Sequence, residues 1–175
     1  KISSYGVNKK EVQTAAPKPV QEENTEQALP SIPENAVAAE EDTFITSEFF
    51  GGTYGSLNEL EIAGGYTKPT SAYLKFPGVS LKEGERAYVK LFLKAASGSG
   101  YLSLYTCPDN WSEETLSMQN APKLKFAAAK TFASKENVRS WVSLDITDVC
   151  DGKPMSFCII CDTAVTDDAS PAFYF

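Results

Sequence analysis

The sequence contains no histidine. That removes the commonest general base, the Ser–His and Cys–His catalytic pairs, and the usual nitrogen ligand of zinc. Glu113 and Glu114 are a carboxylate pair, but neighbours in sequence rarely flank one scissile bond. No nucleophile stands beside a base, so the chain reads as no enzyme. Basic clusters are missing too. Lys9-Lys10 is the only basic pair in a chain of formal charge −7, which argues against nucleic acid or an anionic membrane as the main partner. No apolar run approaches the eighteen or so residues of a membrane span, and no membrane insertion is expected. No leader segment opens the chain, as expected of a secreted protein that has already lost one.

Aromatic residues are almost absent from the first 40 positions. Of 2 tryptophans, 8 tyrosines and 10 phenylalanines, only Tyr5 falls there. That stretch carries Pro17, Pro19, Pro30 and Pro33 with Glu22-Glu23 and Glu40, the composition of an extended linker and not of a packed core. Within it Ile2, Tyr5, Val7 and Val12 lie in short, mildly β-prone runs. The bland reading of residues 1–40 is a linker; the sharper one is an assembly arm that becomes a strand when it meets a partner.

What the remainder does have is alternation. Residues 41–175 are long enough for one domain with a proper core. Asp42–Ser47, Glu59–Ala63, Ala72–Phe76, Ala87–Ala95, Trp141–Ile146 and Met155–Asp162 read as strands, and Ala172–Phe175 as the last. Leu60 and Ile62 point inward, as do Val89, Leu91 and Leu93. Leu102 and Leu104 alternate with Ser103 and Tyr105 in the stretch Ser99–Asn120, where Cys107-Pro108-Asp109-Asn110 then breaks the strand. Ser112 is placed to cap the turn that begins at Glu113. Leu124–Lys130 is ambiguous between helix and strand, and Thr147–Asp151 reads as a turn or one helical turn. Short strands between glycine and proline turns predict an all-β, antiparallel sandwich.

The four cysteines, Cys107, Cys150, Cys158 and Cys161, are an even set. They fit disulfides in an oxidising compartment, with three connectivities open, or buried thiols. Cys158-Ile-Ile-Cys161 has redox or zinc spacing, but on a strand these residues point to opposite faces and cannot clasp one metal.

Glu41-Asp-Thr-Phe44, Gly55-Ser56 with Leu60-Glu61, Ala72–Phe76, Ala87-Tyr88 through Phe92 and Asp109–Thr115 occur in order. Asn120-Ala-Pro122, Trp141–Thr147 and Ala172-Phe-Tyr174 follow. Together they resemble the DNRLRE-type domain, which is similar to the family 96 carbohydrate-binding modules. The resemblance implies a secreted or cell-surface jelly-roll β-sandwich, appended to other domains, with glycan binding in some relatives. It places the strand of Tyr105 beside that of Ile159, which would pair Cys107 with Cys161 and leave Cys150 to Cys158. Two departures stand out. Met118 replaces a second tryptophan of the family pattern, and the family continues beyond Phe-Tyr into a further strand where this sequence stops at Phe175.

Either the sequence is cut short there or the sandwich lacks its closing strand, a gap that the arm of a neighbour would fill. The chain is therefore expected to be a non-catalytic, self-assembling subunit of a surface filament, its partner being itself. The alternative is a carbohydrate-binding module on a linker, its partner a polysaccharide. Candidate glycan platforms are Trp111, Tyr54, Tyr66 and Tyr105, although Trp111 is also suited to packing its loop on the sandwich edge. Trp141 reads as a core residue. Asp42, Asp167 and Asp168 are a candidate calcium set between the first and last strands.

Overall fold

The computed structural model describes residues 32, 35–66, 68–162 and 170–175. The arm residues Ile2, Tyr5, Val7 and Val12, and Asp167 and Asp168 of the calcium set, lie outside the described residues. The described chain forms β1 Glu41–Thr46, β2 Glu61–Ala63, β3 Thr70–Phe76, β4 Tyr88–Phe92 and β5 Ala95–Ala96. Then come β6 Gly100–Thr106, β7 Ala127–Ala133, β8 Trp141–Asp145, β9 Met155–Asp162 and β10 Ala172–Tyr174. Short 3-10 turns at Lys135–Asn137 and Thr147–Val149 flank β8.

Every described strand pair is antiparallel. Hydrogen bonding runs β5-β10-β2-β3-β9-β6-β7 with β1 on the other flank of β3, and β4 pairs with β8. Only Ala63 and Thr70 join β2 to β3, so the sheet turns a corner there. The chain passes from β4 into β5 within two residues, and the N–H of Lys94 donates to the carbonyl of Tyr174 at 2.8 Å. Two layers result. One is β1-β3-β9-β6-β7; the other is β2-β10-β5/β4-β8.

The core lies between them. Phe44, Leu74, Leu102, Leu104, Phe157 and Ile159 enter it from the first layer. Ile62, Val89, Leu91, Leu93, Leu144 and Phe173 enter from the second. Each such side chain contributes about 1.5–3 kcal/mol by leaving water, and period-two alternation is what delivers them all to one side.

The strand readings hold where alternation is strong. Leu60 and Ile62 are inward as expected, and so are Val89, Leu91 and Leu93. The ambiguous stretch resolves as strand, shifted to Ala127–Ala133, because Ala133 and its neighbours pair along β6 with a register shift at Leu104/Tyr105. Trp141 corrects the expectation of a core residue. Val142, Leu144 and Ile146 take the inward positions of that segment, so Trp141 falls on the outer face, edge-on to Phe92.

Candidate functional site

The outer face of the first layer is divided in two. Over its lower half lies the segment 107–126, the irregular stretch between β6 and β7. Trp111 and Leu116 from that segment join Ile45, Tyr73, Cys107 and Cys158 in a second apolar cluster. Trp111 is 7% exposed; its indole N–H donates to the hydroxyl of Ser156 at 2.7 Å, and Tyr73 meets it edge-on. Lys75 closes the arrangement. Its ammonium sits 4.7 Å from the Trp111 ring centroid, donates to the Trp111 carbonyl at 2.6 Å and pairs with Glu41 at 2.6 Å. Glu41 in turn accepts the N–H of Glu113. The hydrogen bond from Lys75, then that from Glu113, hold the Glu41 carboxyl below its ordinary range. As expected, Ser112 accepts an N–H of the turn, from Glu114 at 3.3 Å.

The upper half is built differently. Register pairs Tyr101 with Phe132 on β7 and with Asp162 on β9, and Ser103 with Lys130 and Ile160. Because Leu102 and Leu104 point into the core, Tyr101, Ser103 and Tyr105 point out. Tyr101 and Phe132 meet edge to face at 5.3 Å, and Phe132 is 45% exposed. The Lys130 ammonium lies 4.8 Å from the Tyr101 ring and 3.0 Å from Asp162, which also accepts the Ser103 hydroxyl at 2.6 Å. Burial raises the Asp162 pKa, but the bonds from Ser103 and Lys130 outweigh it and leave the carboxyl lowered. A half-exposed ring thus adjoins an ammonium and a carboxylate held in place by each other. Such a face can stack on the C–H side of a pyranose while donating to and accepting from its hydroxyls.

The structure scatters the sequence-predicted platforms. Trp111 is enclosed and has no ring face to offer, which removes it from the sugar-stacking set. Tyr54 is half-buried and stacked on Phe44 at 4.4 Å, between the loop and the core. Tyr66 is fully exposed, with relative exposure of 101%, in the turn after β2. Tyr105 alone falls on the face with Tyr101, two positions beyond Ser103. Sequence reasoning missed Tyr101, Phe132, Lys130 and Asp162. The signal was the outward stripe Tyr101-Ser103-Tyr105, but the partner strand β7 had no clear period.

Asp42 lines a cleft of about 460 Å³ with Leu57, Asn58, Glu59, Glu113 and Phe175. Burial, and then the charge of Glu113, raise its pKa. Among the described residues no group of three or more acidic or cysteine side chains is placed to share a metal ion.

The cysteine pairing is overturned. Tyr105 does lie opposite Cys158, beside Leu104 and Ile159, but all four thiols are free. The Cys107 thiol lies at the level of Ser156, 3.2 Å from its hydroxyl, whereas Cys161 lies opposite Leu102. Five residues of strand separate those levels, about 17 Å, and a disulfide needs Cα atoms within about 7 Å. Cys150 and Cys158 belong to opposite sides of the first layer: Cys150 packs on the main core and bonds the Val79 carbonyl, and Cys158 sits in the outer cluster. Cys158 and Cys161 face opposite ways, as a strand requires.

The model of carbohydrate-binding module family 96 matches residues 33–169. The chain belongs to that family. No curated protein matches the sequence. Modules of this kind bind carbohydrate and are not catalysts. In this family 96 chain the match covers both halves of the outer face, the latched loop and the Tyr101–Phe132 surface alike.

Proposed function

We propose that residues 41–175 form a non-catalytic carbohydrate-binding module that holds a polysaccharide on the outer face of β7, β6 and β9. Phe132 and Tyr101 supply ring contact, Lys130 a donor, Asp162 an acceptor held in place by the buried Ser103 hydroxyl, and Tyr105 extends the surface along β6. The observation that carries this reading is the exposed Phe132 ring beside the Lys130–Asp162 pair, in a chain of a carbohydrate-binding family. Residues 1–40 serve as the linker, and the module works at a cell surface or in the secreted space, where polysaccharide is met.

This order reverses the preference drawn from sequence, which put filament assembly first. The strand-donation reading rests on a sandwich that lacks its closing strand, and nothing among the described residues supports such an assembly. Among the described residues, β10 is flanked by β2 on one side and β5 on the other, and Phe175 exchanges backbone hydrogen bonds with Leu60.

The test is affinity electrophoresis through gels containing xylan, hydroxyethylcellulose, laminarin, polygalacturonate, alginate or hyaluronan. Retardation in at least one gel, weakened by Phe132→Ala and unaffected by deletion of residues 1–40, supports the module. Unchanged mobility in all six would overturn it.

A further inference from the structure

The second layer has an outer face of its own. On β4 the inward positions are Val89 and Leu91, and on β8 they are Val142 and Leu144. The positions between point away from the core. Register sets them in rows: Phe92 opposite Trp141, Lys90 opposite Ser143, and Tyr88 opposite Asp145. Phe92 and Trp141 meet edge-on at 5.5 Å, and Tyr88 is among the exposed large side chains. Lys90 and Ser143 are exposed between the Phe92–Trp141 row and the Tyr88–Asp145 row. The start of β8 is held by two backbone hydrogen bonds with Leu93: the Arg139 N–H donates to the Leu93 carbonyl at 2.7 Å, and the Leu93 N–H donates to the Ser140 carbonyl at 3.0 Å. Arg139 adopts φ of 66° there, a left-handed turn that brings the chain into register so that Trp141 faces out.

The size of this strip decides what it suits. Two strands of five residues cover about 17 Å by about 10 Å. That is roughly 170 Å², against about 800 Å² per partner in a stable protein interface. A second folded protein finds too little here. A linear sugar chain fits, because its rings present apolar C–H faces and hydroxyl edges in alternation, and the strip runs from the Phe92–Trp141 ring row through the polar Lys90–Ser143 row to Tyr88 beside the Asp145 carboxylate.

We propose that the Trp141–Phe92–Tyr88 strip is a second polysaccharide-binding site, so that one module bridges two sugar chains. The core lies between the two sites: Leu102 and Leu104 enter it from beneath Tyr101, Val142 and Leu144 from beneath Trp141. A single polysaccharide segment cannot lie flat on both faces at once. The consequence is cross-linking and not simply tighter grip. This inference rests on the carbohydrate reading above.

The experiment uses the whole chain and whichever of the six polysaccharides retards it. Isothermal titration with oligosaccharides cut from that polymer should give two bound per protein chain. Light scattering of the intact polymer should rise with protein and fall again at excess, as both sites on each protein fill separately. Trp141→Ala with Tyr88→Ala should bind one oligosaccharide, still be retarded in gels, and lose the scattering. Lys90→Glu with Ser143→Glu, which alters only exposed side chains, should do the same and guards against misfolding of the first variant. One bound oligosaccharide in the unaltered protein, or scattering unchanged in both variants, would overturn the second site while leaving the first. Failure of every polysaccharide to retard the protein would overturn both.

Discussion

The indole N–H of Trp111 and the hydroxyl of Ser156 lie 2.7 Å apart, and Ser156 also meets the Cys107 thiol at 3.2 Å. This small buried network is what fastens the 107–126 segment to β9. Its two halves are not equivalent. Ser156→Ala leaves a buried indole donor unpaired, which costs about 1–3 kcal/mol. Trp111→Phe removes that donor while keeping a ring against Tyr73, and the serine keeps its thiol partner, so the loss is about 1 kcal/mol. Trp111→Ala also opens a cavity and costs about 3–5 kcal/mol. Chemical unfolding of the three variants and of Trp111→Phe/Ser156→Ala checks the scheme. The double variant is expected to be less destabilised than the sum of its parts.

The same segment is also fastened through Glu41, and this makes its attachment pH-sensitive. Lys75 and the N–H of Glu113 depress the Glu41 pKa from 4.5. Thr147, and then Arg86, hold Asp145 down to about 2 from 3.8. A depressed carboxylate contributes stability above its unfolded pKa and loses it as pH falls through the folded value. Glu41 therefore begins to lose its contribution below pH 4.5, and Asp145 between 3.8 and about 2. Asp42 and Glu61 act in the opposite direction, since burial raises both and favours their protonated forms in the fold. The net expectation is a melting temperature that falls between pH 5 and about pH 2. Glu41→Gln should start lower at pH 7 and fall less. Trp111 fluorescence in a Trp141→Phe background should report the loop lifting before the sandwich melts.

Much of the sandwich was legible in the sequence because its core strands are regular. Val89, Leu91 and Leu93 alternate with polar neighbours, and only one face of a strand satisfies that pattern. The candidate site was less legible for a physical reason. An exposed face needs no alternation of its own, so Lys130 and Phe132 sit in an alanine-rich segment that suits helix and strand equally. Trp141 shows the converse. Its place in an alternating strand suggested burial, but Val142, Leu144 and Ile146 hold the inward positions, so the period was right and its phase was the opposite one. Trp111 was legible as a loop anchor yet not as buried, because its enclosure depends on Lys75 and Tyr73, which lie on β3, far away in sequence.

The thiols offer a simple check on the absence of cross-links. Burial raises the pKa of each cysteine, pushing Cys158 up to about 12 and Cys161 up to about 11. Thiolate is the reactive form, so at pH 8 the folded protein should react slowly with a thiol reagent. In denaturant all four should react at once. Reductant should leave the melting temperature unchanged, whereas a chain held by disulfides would lose about 2–4 kcal/mol. Fewer than four thiols after denaturation without reductant would contradict the free state. Cys158→Ala should cost about 1–2 kcal/mol, from packing alone.

On the Tyr101–Phe132 face, rings and charges should separate by their energetics. Phe132 meets Tyr101 in a T-shaped ring contact and is 45% exposed, so Phe132→Ala should leave the fold within about 1 kcal/mol of the original. Its effect should fall on binding, with affinity for the retarding polysaccharide reduced about tenfold, or about 1.4 kcal/mol. Lys130 and Asp162 are partners at 3.0 Å, and Ser103 shares the carboxylate. Removing either charge frees the other to move, so Lys130→Ala and Asp162→Ala should each cost nearly as much affinity as both together. Surface ion pairs contribute little to folding, so Lys130→Ala should melt close to the original, whereas Asp162→Ala also leaves the buried Ser103 hydroxyl without its acceptor and should cost about 1–3 kcal/mol. Binding titrations on the two single variants and the double variant measure the coupling. Strict additivity would mean that the two side chains meet the sugar independently, and that the pair seen on this face does not orient the ammonium for it.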